Sequence, residues 1–186
     1  MTDAGDHSEP LPFIQRAERC LAELSVRNNF WHRTFAFFFL PVAWHSGIAM
    51  RWTGDQLTPR MPYRRANRNW YGAISGAALS GNAEIAGGLI LNKQIGRDYT
   101  CVCKSLSYQF LRPCLGPAEY HLESLEGLEE GLESDREFNV NMQLHVFQVQ
   151  KTELRLVGKA DVIFHLVPKS SVNCSIFHPW GKRRKR

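Results

Sequence analysis

The sequence predicts an α+β fold in which a curved antiparallel sheet wraps one long helix, preceded by a helical N-terminal extension. Two observations carry this. Residues 69–92 form a long run of small and apolar residues with one carboxylate, Glu84. Four stretches follow in which apolar and polar residues alternate, the period of antiparallel strands with one buried face. A single apolar helix followed by such a meander buries itself most simply inside the sheet.

The elements follow in chain order. Leu11–Val26 repeats Phe13/Ile14, Ala17, Leu21 and Leu24 at helical spacing, after the start signals Ser8 and Pro10. Phe30–Val42 is aromatic-rich and predicts a second short helix ending near Pro41. Gly47–Thr53 alternates Ile48, Met50 and Trp52 and predicts a strand, turned by Gly54–Asp55 into a partner over Leu57–Tyr63. Pro59 and Pro62 put that partner at a sheet edge. The small-residue helix comes next. Thr100–Leu111 places Val102, Leu106, Tyr108 and Phe110 on one face and Cys101, Cys103, Ser105, Ser107 and Gln109 on the other. Ala118–Leu125 is a short strand. Glu123–Glu137 is acidic, and Leu122, Leu125, Leu128 and Leu132 fit a short helix as well as they fit a loop. Phe138–Val149 points Phe138, Val140, Met142, Leu144 and Val146 inward, and Leu154–Val167 does so with Leu154, Leu156, Ala160, Val162, Phe164 and Leu166. The chain divides into an N-terminal extension over 1–45, a sheet-and-helix domain over 46–168, and a basic tail over 169–186.

Composition narrows the functional classes. The 186 residues are 44% apolar and 22% charged, enough for a sizeable core. The net charge of +5 comes from the end of the chain: Lys182–Arg186 is five basic residues, and the other 18 basic residues match 18 acidic ones. The basic pI therefore reports a tail and predicts no specific nucleic-acid face. Nothing apolar in that tail offsets the entropy of ordering it, so it is expected to lie outside the fold. No secretory signal is visible, and the five cysteines lack a disulfide or metal spacing. Reduced thiols in a cytoplasmic protein are the expectation, with no metal and no cofactor. The 70–91 run is long enough to cross a bilayer, but Asn82 and Glu84 near its middle argue against a membrane span.

The helix carries the chemistry. Residues three and four from Glu84 share its face. They are Ser80, Gly81, Gly87 and Gly88, all small. Each Gly costs roughly 1 kcal/mol against Ala inside a helix. Close approach of a ligand or of another backbone is the usual compensation, and packing under the sheet is the plainer one. Asn69 stands either as a polar site residue or as the helix cap. Glu84 stands either as a general base or as a structural carboxylate.

The motifs carry a resemblance. Acyl-CoA thioesterases of the hotdog fold have an Asn six positions before a His–Gly–Gly at the helix start, and an Asp or Glu nine positions after the His. Here Asn69, Ser75–Gly76–Ala77 and Glu84 fall on those positions, with Ser75 replacing the His and Ala77 the second Gly. Phe110–Leu111–Arg112–Pro113 resembles the Phe/Tyr–Leu–Arg–Pro that ends the family's next strand. The resemblance covers about residues 45–167. It implies a hotdog fold, an acyl-CoA or acyl-carrier thioester substrate, and a homo-oligomer, dimer or tetramer. It also implies that Asn69 and Glu84 act together across the dimer interface. Glu84 would be base or nucleophile, Asn69 would hold the water or thioester, and Ser75, Gly76, Ala77 and Ser80 would line the substrate, the Gly76 or Ala77 N–H serving the oxyanion. The alternative is a non-catalytic hotdog protein that binds acyl groups or serves as a scaffold. No GxSxG, GK[ST] or GxGxxG occurs.

Overall fold

The structure, a computed structural model, describes residues 41–96, 98–134, 136–150 and 153–169. The helix predicted over Leu11–Val26, most of the one over Phe30–Val42, Cys20, Cys174 and the basic tail lie outside the described residues.

The described chain opens in helix α1 (Pro41–Ser46), so the chain is helical beyond Pro41 rather than ending there. The predicted first hairpin forms and reaches back to Ala49, which exchanges two backbone hydrogen bonds with Arg60 at 2.9 and 2.8 Å. Strands β1 (Trp52–Thr53) and β2 (Gln56–Leu57) pair around Gly54–Asp55. Ile48 and Met50 are buried as expected, but Trp52 is exposed. Strand β3 (Arg60–Met61), bridged to Ala49 through Arg60, also pairs with the later strand β5 (Ala118–Glu126).

Helix α2 (Gly76–Ile95) is the long helix. Ser75 caps it, its hydroxyl accepting the Ala78 N–H at 3.2 Å, and Gly96 ends it at φ 68°. It starts six residues later than the small-residue pattern suggested. The cause is local: Gly72 sits at φ 76°, and Asn69 bonds its own following backbone. Residues 69–73 are therefore a loop.

Strands β4 (Tyr99–Phe110), β5, β6 (Phe138–Gln150) and β7 (Glu153–Pro168) are the four long strands expected, with a short helix α3 (Leu128–Glu133) between β5 and β6. The five-stranded antiparallel sheet runs β3–β5–β6–β7–β4. Helix α2 lies against all four long strands. Its Leu79, Ala83, Ala86, Ile90 and Leu91 meet the inward Val140, Met142, Leu144, Val146, Val162, Phe164 and Leu166 in one core. Gly87 belongs to this contact: a Cβ there would stand 2.9 Å from the Phe164 ring and 3.1 Å from Met142 Sδ. A sheet wrapped around one helix is the hotdog architecture that the motifs implied.

Two faces differ from the alternation. In β4 the register shifts between Cys103 and Ser105. A bulge inserts one residue and exchanges the faces beyond it. Cys101 and Cys103 therefore pack toward the core, Val102 is exposed, and Leu106 and Tyr108 are inward after the bulge. In β7 a second shift opposite Val146/Phe147 buries Val157 and leaves Leu154 exposed.

Candidate active site

The loop ahead of α2 is held by its own backbone and by two asparagines. Asn67 is buried, donating through Nδ2 to Ser46 O (2.8 Å) and Pro62 O (2.9 Å), while its carbonyl accepts the Ser75 N–H (2.8 Å). Nothing in the sequence pattern singled it out; its partners are distant in the chain or belong to a turn. Asn69 works differently from a helix cap. Its Oδ1 accepts the N–H groups of Tyr71 (3.0 Å) and Ala73 (3.1 Å), and its N–H donates to Ala73 O (2.8 Å). The Oδ1 is spent on the loop, which leaves the exposed Nδ2 as the group with hydrogens to offer.

The helix start offers two further donors. Among the described residues the Gly76 and Ala77 N–H groups have no acceptor, as expected for the first turn of a helix. The helix dipole adds partial positive charge there. Phe110 walls one side, its ring 3.1 Å from where a Gly76 Cβ would stand. Ser80 Oγ donates to Gly76 O (2.9 Å), so its proton is turned inward and its lone pairs remain. Removing the cap is a direct test of this end. Ser75→Ala is expected to cost about 1 kcal/mol of stability, read from denaturant unfolding.

Glu84 lies eight residues into α2, about 12 Å along its axis from Gly76. It is exposed rather than partly buried in a single chain, and among the described residues it makes no hydrogen bond or ion pair. Two of its small neighbours face open space: a Cβ on Gly81 or Gly88 would meet nothing within 4 Å. The glycines thus divide by role. Gly87 packs under the sheet, whereas Gly81 and Gly88 flank Glu84 on the uncovered side of the helix.

The β4 bulge brings Cys101 and Cys103 to this side, which the alternation had turned away from the helix. Burial, the neighbouring Cys103 and the Glu84 carboxylate push the Cys101 thiol up to about 12. Burial and Glu84 raise Cys103 as well. Both thiols are therefore protonated at neutral pH and poor nucleophiles. The Glu84 carboxylate lies on the same side of the helix as these thiols. Asn69 and Glu84 are not in contact within one chain. Among the described residues, the outer edge of β4 in the five-stranded sheet has no neighbouring strand.

No family model and no curated protein matches the chain. Solved structures do. A Shewanella oneidensis protein, provisionally named a thioesterase, superposes with a TM-score of 0.63 at 17% identity, over 73% of this chain and 94% of its own. A thioesterase family protein from Silicibacter pomeroyi gives 0.58 at 16% identity, over 80% and 98%. A thioesterase from Haemophilus influenzae gives 0.54 at 17% identity, over 68% and 82%. At such identities the likeness is one of fold: the chain has the hotdog architecture that these proteins share.

Proposed function

We propose that this chain hydrolyses acyl thioesters, carried by CoA or by an acyl carrier, at a site completed by a second copy of the chain. The observation that carries the proposal is Glu84 on the uncovered face of the central helix, with open space at Gly81 and Gly88 on either side. A carboxylate without a structural partner among the described residues, beside room for a ligand, suits proton transfer better than scaffolding.

The chemistry follows from the groups available. Water attacks the thioester carbonyl, and Glu84 takes its proton as general base; direct attack by the carboxylate is the nucleophilic variant. The developing oxyanion is met by donors, for which the Gly76 and Ala77 N–H groups and the Asn69 Nδ2 are candidates. The thiol leaves with the proton returned by Glu84. Ser75 and Ser80 line the same helix end as polar contacts. Asn69 of one copy would serve Glu84 of the other, because within one chain the two stand apart.

The same residues also support a quieter reading. Ser75, at the position of the family's His, is occupied as a helix cap, and Asn69 Oδ1 is occupied by its loop. A hotdog protein that binds acyl groups without turnover would look like this. A panel of acyl-CoA thioesters with free-thiol detection separates the two: release of thiol above the uncatalysed rate supports hydrolysis, and binding without release supports the acyl-binding module.

Assembly is the second test. An unpartnered strand edge is usually paired or protected. Two β4 edges side by side would join two sheets and bring two α2 helices beneath them. Light scattering is expected to give at least a dimer. A monomer at micromolar concentration would defeat both the assembly and the shared site.

A further inference from the structure

The end of the sheet where β4 and β6 finish and β5 and β7 begin carries exposed leucines on both of its surfaces. The segment after β4 crosses this end. Its Leu111 and Arg112 N–H groups donate to Val157 O at 2.9 and 3.2 Å, and its Leu115 N–H donates to Gln148 Oε1 at 2.7 Å. Gln148 lies on the helix side of β6, so Leu115 is held on that side. The opposite surface is built by β6 and β7, where Phe147 pairs with Leu156 and Val149 with Leu154. Leu111 is 41% exposed, Leu115 58% and Leu154 50%. One row further into the sheet that surface turns polar, with His121 opposite His145 and His145 opposite Lys159. The apolar side chains of this surface are thus confined to the end.

Cations stand among them. Arg112 follows Leu111, and Arg155, opposite Gln148, follows Leu154; both are exposed. Among the described residues neither pairs with a carboxylate. The two segments that build this end, 111–117 and 147–157, hold Arg112, Lys151 and Arg155 against one acid, Glu153. Half-exposed leucines gain by being covered, and unpaired arginines suit phosphate oxygens. A second copy docked here through a two-fold axis would set the same arginines against each other. The edge-to-edge pairing of β4 extends the sheet sideways and leaves this end free. A protein partner seated on one surface of the sheet leaves the leucines of the other in water. A lipid headgroup layer surrounds an inserted end from every side and supplies the anions.

We infer that this end of the sheet seats in an anionic lipid surface, with Leu111, Leu115 and Leu154 reaching the acyl boundary and Arg112 and Arg155 on headgroup phosphates. The inference stands without the thioesterase reading. Helix α2 begins beside the same crossing, through the Ile74 N–H on Cys114 O at 2.8 Å. A chain seated this way holds the helix start next to the lipid, a placement that suits a ligand with an acyl chain.

The test is vesicle flotation of the full chain, with phosphatidylcholine alone and with phosphatidylcholine mixed with phosphatidylglycerol. The wild type is expected to float with the anionic vesicles, less with the neutral ones, and less as salt rises. Leu115→Ser with Leu154→Ser should weaken binding about tenfold per leucine. Arg112→Ala with Arg155→Ala should weaken binding to the anionic vesicles about fivefold per arginine and leave binding to the neutral vesicles unchanged. Circular dichroism should show the fold kept, because these side chains are exposed. If the double leucine variant unfolds, each single variant is read alone. Removing Lys182–Arg186 controls for the basic tail and should leave the leucine dependence in place. Absence of binding to both kinds of vesicle would overturn the inference and point to a protein partner. Binding that depends on the tail and not on the leucines would overturn it as well. So would leucine variants that turn an oligomer into a monomer, which would make a second copy the occupant.

Discussion

Glu84→Gln is expected to lower turnover of an acyl-CoA roughly 10²–10⁴-fold, the usual worth of a general base. The substitution keeps the size and removes the proton acceptor. It should leave stability within about 0.5 kcal/mol, because Glu84 is exposed and makes no hydrogen bond or ion pair among the described residues. The two readouts separate catalysis from structure. A structural carboxylate paired with a buried donor would lose about 1–3 kcal/mol on substitution. Steady-state kinetics with free-thiol detection and a urea titration read both in one preparation. Unchanged turnover together with a stability loss of that size would sink the catalytic role of Glu84 and leave acyl binding as the function. A drop in turnover without loss of stability supports the base.

How much of this was legible in the sequence depends on how local each determinant is. The long strands were legible because alternation is a property of neighbours: Val140, Met142, Leu144 and Val146 point inward wherever the strand sits. The long helix was legible from its small-residue run, which carries Glu84 as its one carboxylate. The start of the helix was legible from the motif at Ser75–Gly76–Ala77, where it lies, but not from periodicity. Asn69, Trp70, Tyr71 and Gly72 read as helical by apolarity, while Asn and Gly three apart are also a turn signal, and the structure follows the turn. Faces were lost at bulges. One inserted residue in β4 turned Cys101 and Cys103 toward the helix and Val102 outward, and no composition cue marks the insertion. The division of the glycines was equally hidden. Gly87 and Gly88 are adjacent in sequence, yet only the sheet above them decides which is packed and which is open. The core of the fold is therefore read from periodicity, and the site from contacts that periodicity does not encode.

One such contact chain makes the last prediction. Gly158 lies on the inner face of β7 beneath Tyr108; a Cβ there would stand 2.6 Å from the Tyr108 Cε1 and Cζ atoms, well inside van der Waals contact. The Tyr108 ring in turn lies 4.5 Å from the Phe110 ring, and Phe110 walls Gly76 at the helix start. Two glycines, one on β7 and one on α2, thus make room for an aromatic pair that connects the sheet to the candidate site. Gly158→Val should expel Tyr108 from its place. Overpacking costs about 1–3 kcal/mol, and loss of the aromatic pair adds about 0.5–1.5 kcal/mol. The better strand propensity of Val returns at most about 1 kcal/mol, so the net change is a destabilisation of roughly 1–3 kcal/mol. Turnover should fall as well, because Phe110 loses the neighbour that holds it against Gly76. The clash has a partner that can be removed. Tyr108 carries a hydroxyl that is buried without a hydrogen-bond partner among the described residues, so Tyr108→Leu sacrifices packing but no bond there. In the double variant Gly158→Val/Tyr108→Leu the penalty should be clearly smaller than the sum of the single penalties, a coupling that only contacting residues show. Strict additivity of the two would mean that Tyr108 does not occupy the space above Gly158, and the link from sheet to helix start would have to be sought elsewhere.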